Sequence, residues 1–378
     1  MLVFQYGSLA GRTGGPAHSL YLMGKGLCEA GIGCSVLMPP IEDGDKLYGS
    51  DVPVRFLPRC HGHFQYVFGA QRFLDRLPRP DLCHIHGLWQ YPNHAVCVYA
   101  RRNRLPYLVS PRGMLYRQGI DGHSRLIKRA ALLLWQHRDL ADASCIHATC
   151  EDEMKVCREM GFRNPIAVIP NAVELPAENR PPSPPGDVFR VGYLGRLHPR
   201  KHVEALIRGF AAAAIPGSQL QIIGSGDVGY EEFLRQECRR LDLRNVGFSG
   251  FLHGEEKRSE LRRLSVLVVP SDYENFGNVV VEALAEGIPV VASRGTPWSE
   301  LEQCHCGFWI KNSPEEIANA LLKISKLPLA DRVAMGAAGQ RLVVERYSVD
   351  QTTRQWLSVY RWLVGDGPRP CFVCNGRG

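Results

Sequence analysis

The 378-residue chain lacks several things, and each absence excludes a class. No apolar run approaches the roughly 20 residues a membrane-crossing helix needs; the densest, 130–135, is six residues long. The first residues, Met1-Leu2-Val3-Phe4-Gln5-Tyr6-Gly7, carry no basic leader, so no signal peptide is expected. Neither charge sign dominates: 45 Lys+Arg stand against 38 Asp+Glu, a net charge of +7. That is too mild to demand nucleic acid. No Gly-x-Gly-x-x-Gly fingerprint and no Walker lysine follow a strand, which counts against a nicotinamide dehydrogenase or a P-loop enzyme. The 13 cysteines are odd in number and mostly scattered singly, which suits reduced thiols in the cytoplasm rather than a disulfide scaffold. Cys371-x-x-Cys374 has no second pair to complete a zinc site, and residues 366–378 are expected to be an unstructured tail.

What is present is alternation. Short β-rich runs (2–6, 34–38, 82–86, 107–110, 145–148, 167–169) are separated by helical patterns such as 16–30 and 124–137. Strands alternating with helices predict a mainly parallel sheet. Five prolines within 176–186 cannot belong to a helix or a central strand, and they predict a linker. The alternation then restarts with runs at 188–193, 220–223, 246–251, 266–269 and 289–292. Two α/β domains are expected, 1–178 and 187–346, with a C-terminal helix near 350–364 completing the first. Ligands of such sheets bind beyond the carboxyl ends of the strands, here in a cleft between the domains.

Two motifs carry chemistry. In 270–291 a strand ends at Pro270, a loop holds Glu274 and Gly277, and a helix from Asn278 carries Glu282. Backbone N–H groups at that helix start make an anion site, and carboxylates accept paired hydroxyls. In Gly195-Arg196-Leu197-His198-Pro199-Arg200-Lys201, a planar guanidinium and a point-charge ammonium follow another strand, suited to a diphosphate. A weaker third element, Gly11-Arg12-Thr13-Gly14-Gly15-Pro16, follows the first strand and opens a helix.

Together these elements resemble a family 4 retaining glycosyltransferase of the GT-B type, over residues 1 to about 363. The resemblance implies two Rossmann-like domains facing a cleft and a nucleotide-sugar donor, UDP- or GDP-linked, as substrate. It implies no other cofactor and no metal; no Asp-x-Asp motif sits in a suitable loop. By the same resemblance Arg196 and Lys201 would hold the diphosphate and Glu274 the sugar. The backbone of Asn275, Phe276 and Gly277 would hold sugar hydroxyls and phosphate, Glu282 the ribose, and Gly14 and Gly15 would close on the diphosphate. The acceptor would be a polysaccharide or lipid-linked glycan; the alternatives are a soluble sugar-phosphate acceptor or a non-catalytic sugar-nucleotide-binding protein. Many relatives place a histidine where this chain has Arg112, so Arg112 would bind an anion or orient the sugar. His86, closing another strand, is a second acceptor-side candidate.

One stretch gathers the charge. Residues 101–138 hold nine Lys/Arg and one acid, Asp121, a net of +8, so the rest of the chain is near neutral. Leu126, Ile127, Ala130, Leu133 and Leu134 recur there at helical spacing beside Arg125, Lys128 and Arg129. The expected packing puts those leucines in the core; the alternative is peripheral contact with an anionic membrane.

Overall fold

The computed structural model describes residues 1–11, 14–41, 45–49, 51–121, 125–176 and 188–376. The proline-rich stretch from 177 onward lies outside them, as do Arg12 and Thr13. The chain divides into two compact units. Unit 1 is Met1–Ala172 with Val349–Gly378, and unit 2 is Val173–Ser348. The boundary thus falls a few residues before the expected 178, because Val173 already bridges to Ser348.

Unit 1 is built on β1 (Leu2–Tyr6), β2 (Gly33–Met38), β3 (Val54–Phe56), a small antiparallel ribbon of β4 (Cys60–His61) and β5 (Tyr66–Val67), then β6 (Leu82–His86), β7 (Tyr107–Ser110), β8 (Cys145–Ala148) and β9 (Ile166–Val168). Unit 2 contributes β10 (Arg190–Leu194), β11 (Gln219–Ile223), β12 (Val246–Gly250), β13 (Val266–Val269), β14 (Val290–Ser293) and β15 (Gly307–Ile310). A last strand, β16 (Val373–Cys374), returns to unit 1.

The unit 1 sheet runs β16-β9-β8-β7-β6-β1-β2-β3, and the unit 2 sheet runs β12-β11-β10-β13-β14-β15. All neighbours are parallel except β16, which lies antiparallel to β9 with Val373 opposite Ala167. Strands such as β8, β13 and β14 are buried along their whole length, as sheets covered by helices on both faces require. In each unit the first strand is central and the order reverses beside it. That reversal, between β1 and β6 and between β10 and β13, is the switch point where α/β sheets bind ligands.

The tail corrects the sequence reading. Residues 365–376 are ordered: Val373 is buried, and the Arg158 guanidinium donates to the Cys374 carbonyl at 3.2 Å. A two-residue strand has no periodicity to read, so pairing with a distant edge is invisible in the sequence. The helix Val349–Val364 packs on Gly15–Glu29, where Gly26 admits Thr353; a Cβ there would stand 2.1 Å from Thr353 Oγ1. Trp356 and Tyr360 on that helix are buried in unit 1.

Candidate functional site

The unit 2 switch point gathers the two strongest motifs. After β10 the chain runs through Gly195 and Arg196 into a 3₁₀ turn, Pro199–Lys201, and then the helix Val203–Ala213. After β13 it runs through 270–277 into the helix Asn278–Ala285. Main-chain bonds lock these loops: Asp272 N donates to Arg200 O at 3.0 Å, and Glu274 N to Gly295 O at 2.9 Å. Close approach depends on glycine. A Cβ on Gly224 would lie 1.8 Å from Gly195 O, and one on Gly295 would lie 1.9 Å from Asp272 O.

Lys201 Nζ is ion-paired with Glu274 Oε1, which also accepts from Ser271 Oγ at 2.8 Å. Both charged side chains are mostly shielded from water. Arg196 differs: it is exposed, and no carboxylate pairs with it among the described residues. Its carbonyl instead accepts from the Tyr193 hydroxyl at 2.8 Å. Arg200 lies 4.6 Å over the Tyr273 ring, and His202 Nε2 meets Asp272 Oδ2 at 2.8 Å. Burial, then the neighbouring Arg200 and Arg196, push the His198 imidazole below its usual range. Gly277 caps the following helix with φ 84°, and the Phe276 carbonyl is held by Trp298 Nε1, which fixes the loop at the helix start. Asn275 lies half-buried in this loop.

Glu282, on the same helix, pairs with Lys257 Nζ at 2.9 Å. Sequence reading missed Lys257, since it lies on a separate helix, Gly254–Arg262. It also missed Ser271, whose hydroxyl donates to Glu274 three residues on.

Unit 1 places the other candidates. Gly14, φ 68°, precedes the helix Gly15–Glu29, whose start carries Pro16. His86 closes β6, and Arg112 follows β7 with φ 56°. The structure brings these two together: Arg112 Nη2 donates to His86 Nδ1 at 3.1 Å, while Nη1 donates to Asn171 Oδ1. His86 Nε2 is buried with no partner among the described residues. Burial lowers Arg112 to about 10, with Glu153 acting in the opposite sense. Glu153 accepts from Gly113 N and from Thr149 N, fixing the loop after β7.

Behind them runs a buried chain that sequence reading missed. His84 Nδ1 lies 2.7 Å from Tyr360 Oη, and His84 Nε2 lies 2.7 Å from Ser110 Oγ. Ser110 Oγ lies 2.7 Å from His147 Nδ1, and His147 Nε2 lies 2.8 Å from Ile169 O. A carbonyl only accepts, so His147 Nε2 donates, and each tautomer back to Tyr360 follows. Both imidazoles are neutral, as burial demands; it drives His147 down to about 3 and His84 well below its usual value.

The "Glycosyl transferase 4-like domain" family matches residues 14–172, and "Glycosyl transferases group 1" matches 177–342. The chain has the GT-B fold, and the two family models match one domain each. Among solved structures of this GT-B fold, Thermosynechococcus elongatus sucrose-phosphate synthase aligns with TM-score 0.75 at 20% identity, covering 97% of this chain and 99% of that one. Anabaena HepE in complex with UDP-glucose aligns with TM-score 0.76 at 19% identity, covering 95% and 99%. In sequence, an uncharacterised Methanocaldococcus jannaschii glycosyltransferase is 32% identical over 45% of this chain and 44% of its own length. Mycobacterium tuberculosis glycogen synthase is 29% identical over 69% of this chain and 64% of its own length. The matched regions thus span about half to two-thirds of these curated relatives.

Proposed function

We propose that this GT-B protein is a retaining, metal-independent hexosyltransferase. It would move a sugar from a UDP- or GDP-sugar to a glycan or lipid-linked glycan acceptor in surface polysaccharide assembly. The observation that carries the reading is the Lys201–Glu274 pair at the unit 2 switch point, on the loop that also carries Arg196 and beside the helix start at Gly277. Relatives lend support: HepE is solved with UDP-glucose, and a Mycolicibacterium smegmatis relative, 32% identical over 41% of this chain, is a GDP-mannose-dependent mannosyltransferase. Free cysteines throughout the described chain support a reducing, cytoplasmic setting.

In the proposed reaction the bond from the sugar anomeric carbon to the phosphate oxygen breaks, and a bond to the acceptor oxygen forms. The acceptor proton passes to the departing phosphate. Charge grows on that diphosphate in the transition state, where Arg196, Lys201 and the N–H groups near Gly277 stabilise it most. The two side-chain cations do the work a metal would otherwise do. Glu274 accepts sugar hydroxyls, Asn275 and Phe276 supply backbone contacts, and Glu282 accepts the ribose hydroxyls. Gly14 and Gly15 leave room for phosphate beside unit 1, and His86 and Arg112 face the acceptor.

A thermal-shift screen across UDP-, GDP- and ADP-sugars tests the donor, since a ligand bound only by the native state raises stability. Product analysis by NMR in the presence of EDTA then tests the rest. No stabilisation by any nucleotide sugar, or an inverted or EDTA-sensitive product, would overturn the corresponding part. A second reading, transfer to a soluble sugar phosphate, is favoured by one observation. Arg112 is largely buried, yet pairs with no carboxylate among the described residues, which suits an incoming anion.

A further inference from the structure

Unit 1 extends the carboxyl edge of its sheet with two insertions. One follows β3 and contains the β4–β5 ribbon. The other follows β7 and contains the helix Arg125–Ala131, which continues through a π turn, Leu132–Gln136, into His137–Ala141. The buried seam of this helix is Ala131, Gln136, Asp139 and Leu140. The expected burial of its leucines does not occur. Leu126 is 81% exposed, Leu133 84% and Leu134 74%. Positions 126, 130, 133 and 134 share one helix face, so the apolar side chains form a single ridge turned to solvent.

The ribbon adds to it. Phe64, Tyr66 and Phe68 are exposed, and the Phe64 ring stands 6.4 Å from Trp135 on the helix, edge to face. Tyr66 meets Phe68 edge to face at 5.0 Å. An apolar strip therefore runs from the ribbon onto the helix. Cations flank it: Arg125 and Arg129 are exposed on the helix, and residues 54–72 contain Arg55, Arg59 and Arg72 and no acid. Lys128 is anchored to the Gly119 carbonyl at 2.7 Å.

We propose that this face docks on a bilayer leaflet rich in anionic lipid. The leucine ridge and Phe68 enter the headgroup–acyl boundary, Tyr66 and Trp135 sit at headgroup level, and the flanking cations meet the headgroups. Charge complementarity selects this occupant. A protein interface tends to exclude charge from its apolar core, whereas here Arg129 and Arg125 share the helix with the leucines. The surface also adjoins the candidate acceptor edge, because Gln136 Oε1 accepts from Trp89 N, three residues beyond His86. A lipid-linked acceptor in the same leaflet would arrive beside His86 and Arg112. That consequence rests on the transfer reading; the docking does not.

The test is co-sedimentation of the full chain with phosphatidylcholine vesicles, with and without phosphatidylglycerol. Binding is expected only with phosphatidylglycerol, and it should fall as salt rises. L133S/L134S should weaken binding at least tenfold while leaving the melting temperature and nucleotide affinity unchanged, since both leucines are exposed. Replacing Arg125, Lys128 and Arg129 by Gln should cost about fivefold per charge. No binding, or equal binding to both vesicles, overturns the proposal. So does wild-type binding by L133S/L134S. If size-exclusion chromatography without lipid shows a dimer that L133S/L134S disperses, the ridge is a contact between copies, and the proposal is again overturned. None of these readouts involves sugar transfer, so failure here and failure of the transfer reading are separately visible.

Discussion

The pairing of Lys201 with Glu274 makes an asymmetric prediction for nucleotide binding. If Lys201 holds a diphosphate, the anion competes with a carboxylate already in contact with the ammonium. Their side chains are 18% and 16% exposed, so solvent screens the pair only in part. Two unit charges at about 4 Å attract by roughly 4 kcal/mol at an effective dielectric near 20. Desolvation cancels much of that, leaving a net of about 1–2 kcal/mol. Glu274→Gln removes the competitor while keeping the side chain's shape and its ability to accept from Ser271. It should therefore tighten UDP or GDP binding by about 5- to 30-fold. Lys201→Met does the reverse, leaving a carboxylate facing the phosphates, and should weaken binding at least tenfold by a similar Coulombic argument. Turnover should fall in both variants, by about 100-fold or more, because each loses a contact that strengthens as the sugar departs. Isothermal titration calorimetry with the free nucleotides reads the split, and a radiolabelled-sugar transfer assay reads turnover. Weakening of nucleotide binding by Glu274→Gln to the same degree as by Lys201→Met would refute the competition and the assignment of Lys201 to the phosphate.

Three further outcomes follow from the buried groups. Ser110→Ala strands His84 Nε2 without an acceptor and His147 Nδ1 without a donor; at about 1–3 kcal/mol each, the loss should lower the unit 1 melting temperature by roughly 5–15 °C, and a shift under about 2 °C would contradict the chain. Burial holds His84, His86 and His147 neutral when folded, whereas the unfolded chain protonates them near pH 6.5. The unfolded state therefore binds more protons as pH falls below 6.5, and stability should drop by up to about 1.4 kcal/mol per pH unit for each histidine, levelling for His147 near pH 3; a urea midpoint unchanged between neutral and mildly acidic buffer would count against it. Gly224→Ala places a Cβ 1.8 Å from Gly195 O, at φ 140°, and should displace the Arg196 loop and reduce nucleotide affinity without altering unit 1 unfolding.

The layout of the unit 2 loops was legible because each piece is local. A strand, a loop with Glu274, a glycine at 277 and a helix with Glu282 follow one another within twenty residues, and the signals for each are short-range. What pairs with these groups was not legible. Lys257 reaches Glu282 from another helix, and Ser110 links His84 to His147 across three strands. No spacing encodes such contacts; they follow from strand order, which the alternation of β and α leaves open. The helix 125–136 was misjudged for a different reason. Its leucines recur with the spacing of a core face, and periodicity cannot distinguish a face turned to the core from one turned outward.

The two sheets reverse order at corresponding places but solve different electrostatic problems there. Beyond β10 and β13 the groups are charged, and Lys201 and Glu274 compensate each other. Within β6, β7 and β8 the groups are neutral imidazoles and hydroxyls joined end to end, so burial needs no counter-ion. The donor at the head of that chain is Tyr360, on the C-terminal helix, and its tail is the carbonyl of Ile169. Ser110, in the middle, stands two residues before Arg112, and His84 stands two residues before His86 along β6. The return of the C-terminal helix to unit 1 therefore does more than cover apolar surface. It supplies the hydroxyl that donates to His84 Nδ1 and so completes the chain whose tautomers the Ile169 carbonyl sets, tying the helix to the strand that carries His86. Tyr360→Phe should accordingly leave the fold intact yet loosen the His86–Arg112 contact, read as a rise in acceptor KM with nucleotide affinity unchanged. Equal effects on both substrates would show that the helix only packs.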